Sequence, residues 1–225
     1  MKCFTLHEVA KNIYWAEFED EYTLCMSFLR FQEYYESPDI TVREQVVPYL
    51  DLIEKYSKAT QNWAFSYVAD WGGFNLPSSV IDGVLERGIL DHNVYDYRIL
   101  SIHSFIRART KDHYYLIGTG RRQEGYLKHE IAHGFFYTIP EYRKEMVGLI
   151  DTLSDDVIDG LYQALLNDGY TPEVLDDEVQ AYISTGMGDD FLFYVTDAVR
   201  IKFEEVFNRY YEKFSYKPGD RSKMI

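Results

Sequence analysis

The chain has 225 residues, 46% of them hydrophobic and 27% charged, enough for one compact domain or two small lobes with a buried core. Its 37 acidic side chains outnumber 23 basic ones and leave a formal net charge of −14. A surface that acidic repels phosphate backbones and anionic headgroups, which argues against nucleic acid or a membrane as a partner.

Two cysteines, Cys3 and Cys25, make no disulfide framework, and the first twenty residues lack the apolar run of a signal peptide. No later run is long enough to cross a bilayer. The expectation is a cytoplasmic protein.

In chain order, 12–18 (NIYWAEF) has the aromatic and β-branched content of a strand. A helix follows over about 22–35 and stops at Ser37-Pro38. Thr41 is the expected cap of a second helix reaching about Lys58, kinked at Pro48. Residues 63–69 (WAFSYVA) read as a strand, and DWGGFNLPSS reads as a loop because of Gly72-Gly73 and Pro77. Helices are expected from about Ser79 and over 93–108, then a short strand at 113–118 and a loop at Thr119-Gly120. From there the pattern is helical, with elements near 122–137, 141–153, 155–168, 173–185 and 190–213 and a frayed tail, KPGDRSKMI. The fold class is α+β: a small sheet in a mixed amino-terminal part and a helical carboxy-terminal part.

The chemistry concentrates in KHEIAHGFFY, where His129, Glu130 and His133 make an HExxH match. Residues four apart lie on one helix face, so both imidazoles can reach one ion. Glu130 sits about 100° further round, placed to touch a water on the metal without binding the metal itself. With six histidines in the chain, the pattern arises by chance in about one per cent of shuffled sequences. Catalytic zinc needs a third protein ligand and an open fourth position. No histidine follows His133, so a downstream carboxylate is the natural third ligand. Glu178 in DDEVQAY is preferred, because Ala181 and Tyr182 share its helix face; Asp177, Asp176 and Glu173 are the rivals.

On His129, Glu130, His133 and Glu178 the sequence resembles the gluzincins, zinc peptidases with HExxH on one helix and a glutamate ligand on a later one. The resemblance spans 113–182 and includes the strand 113–118, where that group keeps an edge strand that can pair with substrate; an ordinary core strand is the competing reading. It implies a zincin-like domain over 1–225, open to division into two subdomains, 1–120 and 121–225, flanking a cleft. It also implies a Zn2+-dependent peptidase that cleaves a peptide or protein substrate, with Glu130 as base for the attacking water. Several gluzincins carry an Asp four residues after the ligand glutamate, supporting a zinc-bound histidine; here Tyr182 stands in that place. Tyr182 is the first candidate for a catalytic hydroxyl donor and Tyr137 the second. The alternative reading is a zinc-binding protein of the same fold without peptidase activity, acting as a binding or regulatory module.

Other signals carry less. The glycine-rich stretch Gly118–Gly125 lacks the GK[ST] ending of a phosphate-binding loop. His103 and His113 are read as structural rather than as ligands.

Overall fold

The computed structural model describes residues 4–60, 64–120, 124–186, 195–216 and 222–223. The architecture is α+β, with a sheet and helices in the amino-terminal part and a helical carboxy-terminal part that carries the HExxH helix. The chain divides into two compact units, Met1–Gln123 with Pro218–Ile225, and Glu124–Lys217.

In the first unit, β1 (Phe4–Ala10) and β2 (Ile13–Phe18) form an antiparallel pair. Asn12 turns the chain between them at φ 61°, a left-handed conformation that asparagine tolerates better than most residues. On the far side of β2 lies β4 (Tyr115–Gly120), running parallel with Ile13 opposite Tyr115. Next comes β3 (Gly73–Pro77), antiparallel to β4, while β5 (Ser222–Lys223) pairs with the outer side of β1. The strand order is β3-β4-β2-β1-β5.

Helix α1 (Glu21–Glu36) starts at Asp20, whose carboxylate accepts the Thr23 N–H at 2.7 Å. It is buried without interruption from Leu24 to Glu33, the pattern of a core helix rather than a surface one. Phe28 approaches β4 so closely that a Cβ on Gly118 would clash with its ring, so only glycine fits there. Arg30, within the same buried run, reaches Asp96 at 3.0 Å and Asp91 at 2.8 Å. Around α1 lie α2 (Tyr49–Ala59), α3 (Tyr67–Asp70), α4 (Ser78–Arg87) and α5 (Val94–Arg107).

Several local expectations are corrected. Pro48 does not kink a helix begun at Thr41; it precedes the first turn of α2, where its missing N–H costs nothing. Tyr67–Asp70 is a single helical turn and not the strand expected at 63–69. The loop DWGGFNLPSS contains β3, and Thr119-Gly120 completes β4 instead of leaving it. Most consequential, β4 has neighbours on both sides and is not an edge strand, so its main chain is already paired and has no room for a substrate strand.

The second unit comprises α6 (Glu124–Thr138), α7 (Pro140–Ile150), α8 (Asp155–Asn167), a 3-10 turn (Pro172–Val174), α9 (Leu175–Thr185) and α10 (Asp197–Phe214). Pro140 opens α7 and Gly186, at φ 69°, closes α9. Helices α6, α7, α9 and α10 pack together over Ile131, Phe135, Tyr142, Met146, Val179 and Phe207, all buried. Parts of the expected elements at 63, 122–123 and 190–194, and most of the tail, lie outside the described residues. Of that tail, Ser222–Lys223 is β5 and not frayed. Among the described residues, no helix is long and apolar enough to cross a membrane.

Candidate metal centre

Helix α6 buries Ile131 and Phe135, and that orientation turns His129 and His133 toward α9; both histidines are buried. Their rings stand almost perpendicular, at 85°, with centroids 4.8 Å apart. The two Nε2 atoms lie 3.2 Å from each other. Two nitrogens bound to one tetrahedral zinc at about 2.0–2.1 Å stand roughly 3.3 Å apart, so the spacing suits a shared ion.

What decides the chemistry is how each ring is held from behind. His133 Nδ1 lies 3.0 Å from Asp177 Oδ1. A carboxylate accepts hydrogen bonds, so this nitrogen carries a proton, and the ring, when neutral, turns an Nε2 lone pair inward. His129 Nδ1 lies 3.3 Å from Thr185 Oγ1, whose own proton goes to the Ala181 carbonyl at 2.7 Å. Thr185 is thereby left as an acceptor, and His129 also turns its Nε2 lone pair inward. Two lone pairs facing across 3.2 Å repel unless a cation, a proton or a metal ion, sits between them.

Glu178, on the first turn of α9, is buried and brings Oε2 to 3.7 Å from His133 Nε2. His129, His133 and Glu178 each offer one ligand atom, all within 4.8 Å of one another, and no other such group exists among the described residues. Ala181, three residues on, is fully buried and its small side chain permits the close approach of α6 and α9. The rivals for the third ligand have other employment. Asp177 holds His133 from behind, Asp176 accepts the Tyr162 hydroxyl, and Glu173 lies in the 3-10 turn ahead of α9.

The electrostatics follow from burial and from the acids. Burial and the neighbouring charge of His133 hold His129 far below the usual histidine range. Burial works against the charged form of His133 too, but Asp177, Glu178 and Glu130 outweigh it and raise that ring well above the usual range. Glu130 is half-buried, and its charge also reaches Tyr170 and Tyr182.

Tyr182 packs its ring against His129, centroids 4.8 Å apart, and its hydroxyl lies 3.1 Å from that of Tyr170. Burial, then the nearby acids, push both phenols upward, so both keep their protons at neutral pH. Tyr170 sits between α8 and the 3-10 turn with no motif to mark it, and sequence reasoning misses it. The support for His133 is missed likewise: the resembled family places an Asp four residues after the ligand, whereas here Asp177 precedes it by one. Tyr137 is half-buried one turn beyond His133. His103 belongs to the first unit, paired with the Tyr114 hydroxyl at 2.8 Å and facing Asp82 at 3.5 Å, and His113 is exposed.

No family model, no curated protein and no solved structure matches the chain.

Proposed function

We propose that His129, His133 and Glu178 hold a zinc ion and that the chain is a zinc-dependent metallopeptidase acting on a peptide or protein substrate. The observation that carries the reading is the pair of inward-facing Nε2 atoms 3.2 Å apart, each ring fixed by a hydrogen-bond acceptor behind it. Three carboxylates, Glu130, Asp177 and Glu178, act on that spot, and a divalent ion balances them better than a single proton. Two imidazoles and one carboxylate are a donor set that suits zinc.

When bound there, zinc supplies Lewis acidity that makes a water acidic and polarises a carbonyl. Glu130, next to the ligand His129 but not itself a ligand, takes the proton of the attacking water on its carboxylate and passes it to the leaving nitrogen. Tyr182, whose ring packs against His129, and Tyr170, hydrogen-bonded to it, both stay protonated and are the hydroxyl donors that serve the developing oxyanion. Cys25 is a buried free thiol, in keeping with a reducing, cytoplasmic setting.

The test has two parts. Protein purified without a metal-affinity tag is analysed for zinc, with about one ion per chain expected. Glu130→Gln should keep that ion and lose about 10²–10⁴-fold in hydrolysis of a peptide library. A chain that carries no zinc and takes up none on titration ends the metal reading. Zinc bound by a wild type that hydrolyses nothing leaves the binding module.

A further inference from the structure

We propose that Gln180 and Tyr142 are positioning residues of this centre, forming a one-way hydrogen-bond chain that holds Asp177 as an acceptor and so keeps the His133 Nε2 lone pair turned toward the ion. The inference rests on the metal reading above and goes beyond it to two residues that touch no ligand atom.

The chain crosses three helices. The Tyr142 hydroxyl on α7 donates to Gln180 Oε1 on α9 at 2.7 Å. Gln180 Nε2 donates to Asp177 Oδ1 at 2.9 Å, and the same oxygen faces His133 Nδ1 on α6 at 3.0 Å. The direction is fixed by chemistry. Asp177 only accepts, so the amide must present its NH2 there, and its oxygen must then take the phenol proton. The reverse orientation would set oxygen against oxygen at Asp177.

Tyr142 and Gln180 are both fully buried. Burying a phenol and an amide is costly unless their hydrogen bonds are made, and an apolar pair would pack here more cheaply. What the polar pair adds is a donor on Asp177 that fixes its rotamer, with Oδ1 facing the His133 Nδ1–H. The consequence reaches His133: with Asp177 wavering, the ring can flip or put its proton on Nε2, and either change removes a metal ligand.

The experiment is a double-mutant cycle on zinc affinity, measured by competition with a chromogenic chelator, using Gln180→Met and Asp177→Asn. Gln180→Met keeps the length of the side chain and removes the donor. It should weaken zinc about tenfold in the wild-type background, at the lower end of what supporting residues contribute. In the Asp177→Asn background the same change should cost less than about twofold, because the route through Asp177 is already broken. A merely structural role would give the same loss in both backgrounds and overturns the proposal, as does a Gln180→Met protein that binds zinc as tightly as wild type. Tyr142→Phe, which keeps the ring, carries the same expectation at smaller size should the glutamine variant not fold. A wild type that binds no zinc fails the metal reading itself, a different outcome from wild-type binding without coupling.

Discussion

His129 and His133 meet edge to face with their Nε2 atoms 3.2 Å apart, a contact that only a shared cation makes favourable. If that cation is zinc, binding is linked to folding, because the unfolded chain does not hold the two rings and Glu178 together. Zinc at 100 times its dissociation constant should then stabilise the protein by about 2.7 kcal/mol. Thermal unfolding with zinc and with a chelator measures this directly. His133→Ala and Glu178→Ala should unfold at the same temperature in both buffers, and a wild type that does likewise would falsify the linkage.

Thr185 holds His129 less firmly than Asp177 holds His133. The Thr185 contact is longer, 3.3 Å against 3.0 Å, and involves a neutral hydroxyl rather than a carboxylate. The Ala181 carbonyl also acts on His129 and can share its proton. Thr185→Val should therefore loosen zinc by no more than about tenfold, whereas Asp177→Asn should cost more, within the roughly 10–100-fold range of such supports. A chelator competition that ranks the two the other way round would show that the hydroxyl, and not the carboxylate, is the principal support.

In the first unit the corresponding question is stability. Arg30 is almost wholly buried and is held by Asp96, which is fully buried, and by the half-exposed Asp91. Asn93 adds a hydrogen bond to Asp96 at 2.8 Å while capping α5. Removing one partner strands the other charge in the core, so Arg30→Met should cost about 3–5 kcal/mol. The paired change Arg30→Met with Asp96→Asn should cost less than the two single changes added together. Urea unfolding of the four proteins decides it, and strict additivity would mean that the charges do not act as a unit.

The site and the fold differ in how far sequence reaches them. His129, Glu130 and His133 are legible because a helix brings residues four apart onto one face, a local rule. Glu178, which the structure brings beside the two histidines, is legible because the absence of a later histidine points to a downstream carboxylate and its helix face carries a small residue. Tyr142, Tyr170 and Thr185 join the site through packing across 12 to 56 positions, which no local pattern encodes, whereas Gln180 reaches Asp177 three residues away on its own helix. The sheet was concealed by its exceptions. Glu8 interrupts the apolar alternation of β1, and Gly73 and Pro77 at the two ends of β3 carry turn chemistry into a strand. That β4 lies inside the sheet follows from its two partners, Ile13 opposite Tyr115 and Gly73 opposite Thr119, and neither pairing is written in β4 itself.

Glu33 gives the chain a pH dependence separate from the metal centre. Its carboxyl is buried on α1, and burial, only partly relieved by the Ser37 hydroxyl, raises its proton affinity above that of an ordinary glutamate. Asp39 nearby pushes in the same direction. A carboxyl whose folded value is raised stabilises the fold most when protonated, below its unfolded value of about 4.3. That contribution is lost as pH rises through the folded value, so at neutral pH the buried charge counts against the fold. Glutamine mimics the protonated form at every pH. Glu33→Gln should therefore gain stability relative to wild type between pH 4 and pH 7, with the gain growing as pH rises. Urea unfolding of both proteins across that range tests the sign, and a difference that stays flat or shrinks with pH would mean that the Glu33 carboxyl is not raised in the folded protein.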